Sequence, residues 1–504
     1  MKSKLLLLSC IISVSALAQN NIYIDHATYT TMKANGQLNT SKNYLFTDAV
    51  APTGAPVKYH GVQNKSQSSI CSCMIPLDTT FTEVPMVSYG GANSSVYQDN
   101  RNDDASSILI PMPFSFNFYG AMYSQVFINN NGNISFNQPY SQYNATMFPM
   151  AGYNMLAPFW GDVDTRDFSG NPSCLVYYKI TPTAMIVKWE NVGYFDMHFN
   201  LINTFQLIIT NGSDPILPAG KNVGFCYGDM QWTSGDASGG GGGWGGIPAT
   251  VGVNQGNGFD YFQVGTFAYP GVTFDGPYNG VDAVDWLDNQ GMYFDIASSG
   301  NIAPIIINNN ICDTIDVYTG DTTHSVLIDS VYFTIGASTP EISQTVNTTF
   351  TSPDTLSFSY DTVMNTPTYQ SFLCKFKVTQ LATGLHYIYV TATDNGVPAM
   401  TTIDTLVIRS NYYPGTTTGI NQLHSENILF ELAPNPSNGL VLIKQNMGWT
   451  SVLTITNIVG QQIMTVQLNN KEQTIDISKL SPGIYFATLT NKEGQSKTIK
   501  VVKE

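Results

Sequence analysis

Three carboxylates close together, Asp162, Asp164 and Asp167, lie in the stretch Met155-Leu-Ala-Pro-Phe-Trp-Gly-Asp-Val-Asp-Thr-Arg-Asp167. Alternate residues of an extended segment point the same way, so Asp162 and Asp164 are expected to share a face. Two carboxylates so placed repel unless a cation lies between them. Arg166 supplies an internal ion pair, the reading favoured here. The other is a calcium ion held by Asp162, Asp164 and Asp167 with backbone and water oxygens. The apolar run ending at Phe159 and Trp160 turns at Gly161, so a buried strand delivers this polar loop to a surface, where recognition usually sits. Trp160 and, further on, Trp244 are the aromatic candidates for stacking on a ligand.

The rest of the chain offers little for catalysis. Histidine occurs at 26, 60, 198, 324, 386 and 424, and only His198 falls near the carboxylates in sequence, in an aromatic stretch that suits a hydrogen-bonded structural role. The chain has neither a GxSxG elbow nor an HExxH helix. A glycosidase needs two carboxylates facing one sugar bond, and Glu190 after Trp189 reads better as the outer end of a strand. Gly239 to Gly246 lacks the Lys-Ser/Thr ending of a phosphate-binding loop and is read as a surface loop. A non-enzymatic protein is expected, with no cofactor unless calcium binds the Asp trio.

The composition says what kind of scaffold carries these residues. Charged residues are 11% of 504 and aromatic residues 12%, with 43 Gly and 28 Tyr, which suits twisted sheets and tight turns. A net charge of -15 excludes nucleic acid as a partner. Lys2 and Lys4, the apolar run Leu5 to Leu17 and Ala16-Leu17-Ala18 before Gln19 form a secretory signal, with processing between Ala18 and Gln19. Leu7-Leu-Ser-Cys10 is a rival lipoprotein box, but the apolar run continues past it. No later stretch is a transmembrane segment. Of seven cysteines, Cys10 leaves with the signal. Spacing suggests disulfides Cys174–Cys226 and Cys312–Cys374, with Cys71 and Cys73 left as the odd pair. The absence of CxxC pairs and His/Cys clusters argues against structural zinc.

Along the chain, residues 19–105 read as a polar lead-in that adds a few strands to the next unit. Asp99-Asn-Arg-Asn-Asp-Asp104 within it reads as a solvated turn in preference to a metal loop. Residues 106–298 form a β module: Phe114, Phe116 and Phe118 alternate as in a half-buried strand, and Asn129-Asn-Asn-Gly132 is a hairpin turn. Residues 301–410 carry about seven short strands and read as an immunoglobulin-like or cadherin-like sandwich. Residues 411–426 are a linker by composition, and 427–504 a small C-terminal β-sandwich. The fold class is therefore all-β and multi-domain.

Two resemblances are specific. Phe118-Tyr-Gly, Asn129 to Phe136, Ala157-Pro-Phe-Trp-Gly-Asp-Val-Asp-Thr-Arg166, Thr204-Phe-Gln-Leu207, Tyr227-Gly-Asp-Met-Gln-Trp-Thr233 and Gly245 to Gly252 stand in the order found in the nidogen-type extracellular (NIDO) domain. That family occurs in basement-membrane nidogen, tectorin and membrane mucins. The resemblance implies adhesion or recognition, with an extracellular glycan or matrix protein as partner. Pro434-Asn-Pro with Gly439, Asn457-Ile-Val-Gly460 and Leu480-Ser-Pro-Gly-Ile-Tyr485 resemble the type A C-terminal sorting domain of type IX secretion, known from Bacteroidetes. This implies a secreted or outer-surface protein whose residues 427–504 engage the secretion machinery. The alternatives are a secreted carbohydrate-active enzyme, with Glu190 and an Asp as its acids, and a structural component of the cell surface or matrix.

Overall fold

A computed structural model describes residues 21–39, 42–49, 58, 73–87, 100–167, 174–277, 282–298, 301–308, 315–320, 330–354, 357–377, 384–413, 430–445, 451–457, 461–490 and 496–504. Ala18, Gln19, Cys71 and Cys312 lie outside them, and with them the expected processing site. Two compact units emerge, 1–414 and 415–504, and both are built from β-sheet, as expected.

The first unit opens with β1 (Asn21–Ile24) paired in parallel with β2 (Asn43–Phe46), and helix α1 (His26–Ala34) runs between them. Asp25 caps α1 by accepting the Thr28 N–H at 2.9 Å. Two seven-stranded sheets then form a sandwich. One orders as β16 (Gly291–Phe294), β12 (Val223–Met230), β11 (His198–Thr210), β10 (Ala184–Tyr194), β9 (Leu175–Ile180) and β3 (Thr82–Glu83), with β8 (Val163–Asp164) also paired to β10. The other orders as β15 (Asp282–Ala283), β14 (Tyr261–Tyr269), β13 (Ala249–Asn254), β7 (Met155–Trp160), β6 (Asn133–Ser135), β5 (Ala121–Asn129) and β4 (Ile110–Phe118).

Sequence explains where each strand sits. In β4 every second side chain, Ile110 to Phe118, is buried, while Pro111 and Pro113 point outward. Proline cannot donate to a ladder, and β4 is an edge strand, where that loss is tolerated. β7 is buried along its whole length, as a central strand under both faces must be. Its Pro158 falls where the pairing with β13 shifts register, and its carbonyl accepts the Tyr227 hydroxyl at 2.7 Å. The sheets meet through aromatic side chains: Trp189 stacks on Phe205 at 5.0 Å, and Phe159 from the facing sheet lies 5.4 Å from Phe205.

Gly132 closes the expected Asn-Asn-Gly turn at φ +76°, and a Cβ there would stand 1.8 Å from the Phe159 carbonyl oxygen. Gly132→Ala is therefore expected to destabilise the module by about 2–3 kcal/mol through strain and overpacking. Urea unfolding monitored by tryptophan fluorescence would measure it.

Beyond the module, a strand at Ile305–Asn308 begins a second sandwich whose last strand is Thr401–Tyr413, with two four-stranded sheets among the described residues. Phe333, Ile335, Phe372, Cys374, Ile388, Val390, Leu406 and Ile408 form its core. Ile302, Ile305, Ile307 and Tyr369 join the core of the preceding module, so the two sandwiches share apolar contact. The second unit is a smaller sandwich of three and four strands from Phe430 to Lys503, closed around Val441, Ile443, Leu453, Ala487 and Leu489.

The expected disulfide Cys174–Cys226 is corrected. Cys226 on β12 bonds to Cys73, 153 residues earlier, while Cys174 is a buried free thiol. Cys73 precedes β3 in a segment laid across the outer face of the sheet, beside Leu77, Phe81, Tyr177 and Ile208. Cys174 sits at the start of β9 instead, with its sulfur near the Asp164 carbonyl. Cys374 is also a buried free thiol, which corrects the expected Cys312–Cys374 disulfide.

Candidate functional site

The carboxylate loop is positioned by β7, which ends at Trp160, and by the turn at Gly161. Asp162 and Asp164 do not share a partner. The Val163 N–H bonds back to the Gly161 carbonyl at 2.9 Å, and the Asp167 N–H to that of Thr165 at 2.9 Å. Such three-residue turns break the strict alternation of an extended chain.

Asp164 takes the expected ion pair. Its Oδ1 accepts from the Arg166 Nε at 2.9 Å and from the Arg166 backbone N–H at 2.9 Å, while its Oδ2 accepts the Met197 N–H at 3.0 Å. A second Arg166 nitrogen bonds the same carboxylate and lies 3.4 Å from Asp196. Asp167 contributes its carbonyl to the Arg101 Nε at 2.7 Å.

Asp162 turns inward to a different group. The Lys33 ammonium, from the last turn of α1, lies 2.7 Å from Asp162 Oδ1, 2.8 Å from Asp104 Oδ2 and 3.0 Å from Asp103 Oδ1. All four side chains are buried. Lys33 also lies over the rings of Phe195 at 4.2 Å and Tyr143 at 4.4 Å, so aromatic faces complete its shell. Tyr29, one turn before Lys33 on the same helix face, donates its hydroxyl to Asp104 Oδ2 at 2.7 Å, and Asn131 Nδ2 donates to Asp104 Oδ1 at 2.7 Å.

The segment ending at Asp104 is thus no solvated turn: Asp103 and Asp104 are among the most buried residues of the chain. Lys33 did not stand out in the sequence, and Asp103 and Asp104 stood out only as part of a turn expected to face water. Only the i, i+4 spacing of Tyr29 and Lys33 in a short helix could have pointed to the lysine.

The electrostatics are those of a dry cluster short of positive charge. Burial, followed by the neighbouring Asp103, pushes the Asp104 carboxyl up to about 6. Burial likewise lifts Asp162 to about 8, the Lys33 charge opposing it. Asp164 is raised by burial against the pull of Arg166. Burial acts to lower the Lys33 pKa, but Asp103, Asp104 and Asp162 together outweigh it and hold the lysine above its usual value.

Among the described residues the carboxylates that converge within ligand range are Asp103, Asp104 and Asp162, so the expected calcium trio Asp162, Asp164 and Asp167 is not assembled. The centre of the converging three is taken by the Lys33 nitrogen, and these residues do not fit a calcium ion with that lysine in place. Chelation with EDTA is expected to leave the thermal unfolding midpoint unchanged. A fall in the midpoint would reveal a structural metal.

The aromatic candidates separate. Trp160 is fully buried and donates its indole N–H to the Gln142 carbonyl at 2.8 Å, which removes it from any ligand surface. Trp244 is half-buried, packed against the core at a tight turn in which the Gly241 N–H meets its carbonyl. His198 Nε2 lies 2.9 Å from Asp236 Oδ2 and its ring stacks on Tyr194 at 4.8 Å, so it has the hydrogen-bonded setting expected while its side chain stays partly exposed. Glu190 pairs with the Lys188 ammonium at 2.9 Å. What reaches solvent above the cluster is a rim of Asp196, Met197, His198 and Asp236, and its backbone is pinned to the cluster through Asp164.

Residues 77–273 match the model of a NIDO-related domain, and residues 431–504 that of a secretion system C-terminal sorting domain. Alpha-tectorin of Gallus gallus is 35% identical over 188 residues, which are 32% of this chain and 8% of that protein. Alpha-tectorin of Homo sapiens is 32% identical over 187 residues, with the same coverage. Nidogen of Drosophila melanogaster is 28% identical over 161 residues, 27% of this chain and 12% of its own length. The chain therefore spans a small part of these relatives. Among solved structures, extracellular cadherin domains of protocadherin gamma B2 align at 11% identity and a TM-score of 0.16, covering 40% of this chain and 51% of that one. Among the described residues no helix is long and apolar enough to cross a membrane. The protein is a secreted or cell-surface chain that carries a NIDO-related domain at 77–273 and a type IX secretion C-terminal sorting domain at 431–504.

Proposed function

We propose that the protein is an exported adhesion protein whose NIDO-related domain binds an extracellular glycan or matrix protein, and whose sorting domain is its handle for the type IX machinery. The observation that supports it most is the union of these two domains in one chain, one shared with tectorin and nidogen and the other an export signal. The two acids weighed for a carbohydrate-active alternative both lie in ion pairs, Glu190 with Lys188 and Asp164 with Arg166. The rim of Asp196, Met197, His198 and Asp236 is the recognition surface in this reading. It presents carboxylates, an imidazole and an exposed thioether on a backbone that the buried cluster holds rigid.

The secreted protein would be applied to arrays of glycans and matrix proteins. Binding that falls about tenfold, ~1.4 kcal/mol, in a Met197→Ala, His198→Ala double variant supports the reading. The absence of binding across the arrays, or turnover of a polysaccharide lost in Glu190→Gln, would overturn it.

A further inference from the structure

We propose that Lys33 and Asp162 become covalently joined through an amide bond between Nζ and Cγ, a cross-link within the chain that ties helix α1 to the loop after β7. The geometry carries it. The nitrogen already lies in hydrogen-bond contact with the Asp162 carboxyl at 2.7 Å, and both side chains are fully shut off from water. Phe195 and Tyr143 cover the nitrogen at 4.2 and 4.4 Å on the sides the carboxyls leave open, and the Ser238 hydroxyl meets the second Asp162 oxygen at 3.3 Å, so the reacting groups are closed in on all sides. Holding two reactants in contact replaces the encounter of separate molecules, the largest advantage an intramolecular condensation has. A buried ion pair is also poorly repaid for its lost hydration, and amide formation with Asp104 taking up the spare proton removes the charges of Lys33 and Asp104 together.

The third participant is Asp104. Its Oδ2 is 2.8 Å from the same nitrogen, and its carboxyl is fixed by Tyr29 and Asn131. Four carboxyls (Asp103, Asp104, Asp162, Asp164) share two cations, Lys33 and Arg166, so the cluster retains protons on its acids. With Asp162 protonated, the steps balance without any co-reactant. The Lys33 ammonium passes a proton to the Asp104 carboxylate. The freed amine attacks Cγ of Asp162, forming the N–C bond. Asp104 relays a proton from nitrogen to the departing hydroxyl, the C–O bond breaks and one water leaves. The amide keeps one N–H, and Asp104 ends protonated, holding the remaining proton. No electron changes hands. Because the Asp103 and Asp104 carboxylates hold Lys33 in its charged form, the first proton transfer is the slow step, and the bond accumulates as the folded protein ages.

The linked residues are 129 apart in sequence, so the bond would fasten the N-terminal layer to the sandwich against pulling or local opening. This inference is independent of which ligand the rim binds.

The native secreted protein, with its ends mapped and its disulfide reduced, should weigh one water less than its sequence. Trypsin should fail to cleave after Lys33, and tandem mass spectrometry should find one branched peptide containing Lys33 and Asp162. Lys33→Arg, which keeps the charge but cannot form this amide, should restore the full mass. Asp104→Asn, which keeps both reacting residues, should do the same. A wild-type mass equal to the sequence with free cleavage at Lys33 overturns the proposal, whatever the variants do. A branched peptide that persists in Asp104→Asn overturns the role given to Asp104.

Discussion

In freshly folded protein, before the Lys33–Asp162 amide forms, Lys33→Met is expected to lower the unfolding free energy of the module by about 3–5 kcal/mol, the loss typical of breaking a buried ion pair from one side. The reason lies in what remains. Asp103, Asp104 and Asp162 converge on one point with no solvent to take their charge. Removing the ammonium forces these carboxyls to take up protons or to pull water into the interior. The loss is therefore expected to grow as pH rises, because protonation relieves the repulsion in acid. A second substitution separates charge from shape. Asp162→Leu alone leaves the lysine with two partners and a displaced methyl group. Lys33→Met with Asp162→Leu removes one cation and one anion together and should recover part of the deficit, since apolar replacement of both partners is often close to neutral. A coupling energy of about 1–3 kcal/mol between the two positions is expected from urea unfolding of the four proteins in the cycle. Additive effects would mean that Lys33 and Asp162 do not act as a pair.

Why this lysine is invisible in the sequence follows from the physics of the two periodicities. Strands announce themselves locally: Phe114, Phe116 and Phe118 alternate, Pro111 and Pro113 betray an edge, and Asn131-Gly132 requires a turn. The strands of the central module and the second sandwich could be read in that way, while the ordered motifs from Phe118 to Gly252 pointed to the NIDO-related domain and those from Pro434 to Tyr485 to the sorting domain. The ion pair of Arg166 with Asp164 was legible because its partners are neighbours. Lys33 and Asp162 are 129 residues apart, and no local pattern reports a contact at that range. The polar lead-in looked like solvent-exposed chain because its helix has few apolar residues, yet the face it turns inward is Tyr29 and Lys33. Asp103 and Asp104 misled for the same reason. A run of carboxylates ordinarily faces water, and only the distant ammonium makes its burial tolerable. Trp160 failed in the opposite sense: an aromatic residue next to a polar loop suggested a binding platform, but the indole N–H finds the Gln142 carbonyl inside the core.

Loss of the Cys73–Cys226 bond, through Cys73→Ser, is expected to destabilise the module by about 4–5 kcal/mol in the chain-entropy limit, because the bond closes a long loop. The sequence separation is 153. Local contacts around the bond share in the effect. The segment after Cys73 is held to the sheet by the Ile75 N–H bonding to the Gln206 side-chain oxygen at 3.2 Å and by the Lys188 ammonium reaching the Ile75 carbonyl at 3.2 Å. Without the covalent tie, Leu77 and Phe81 keep these bonds, their packing over Tyr177 and Ile208, the Lys179 ammonium at Asp78 and over the Phe81 ring, and the pairing of β3 with β9. Cys174→Ala provides the contrast. It removes one buried thiol and no cross-link, so about 1 kcal/mol is expected from the small cavity. Burial pushes the Cys174 thiol up to about 12, which keeps it a thiol and unreactive at neutral pH. Iodoacetamide should therefore leave Cys174 unmodified in the native protein and label it after denaturation without reductant, while Cys73 and Cys226 stay protected until a reductant is added. A peptide map that joins Cys174 to Cys226 would leave the Cys73 segment untethered, and the ranking of the two variants would reverse.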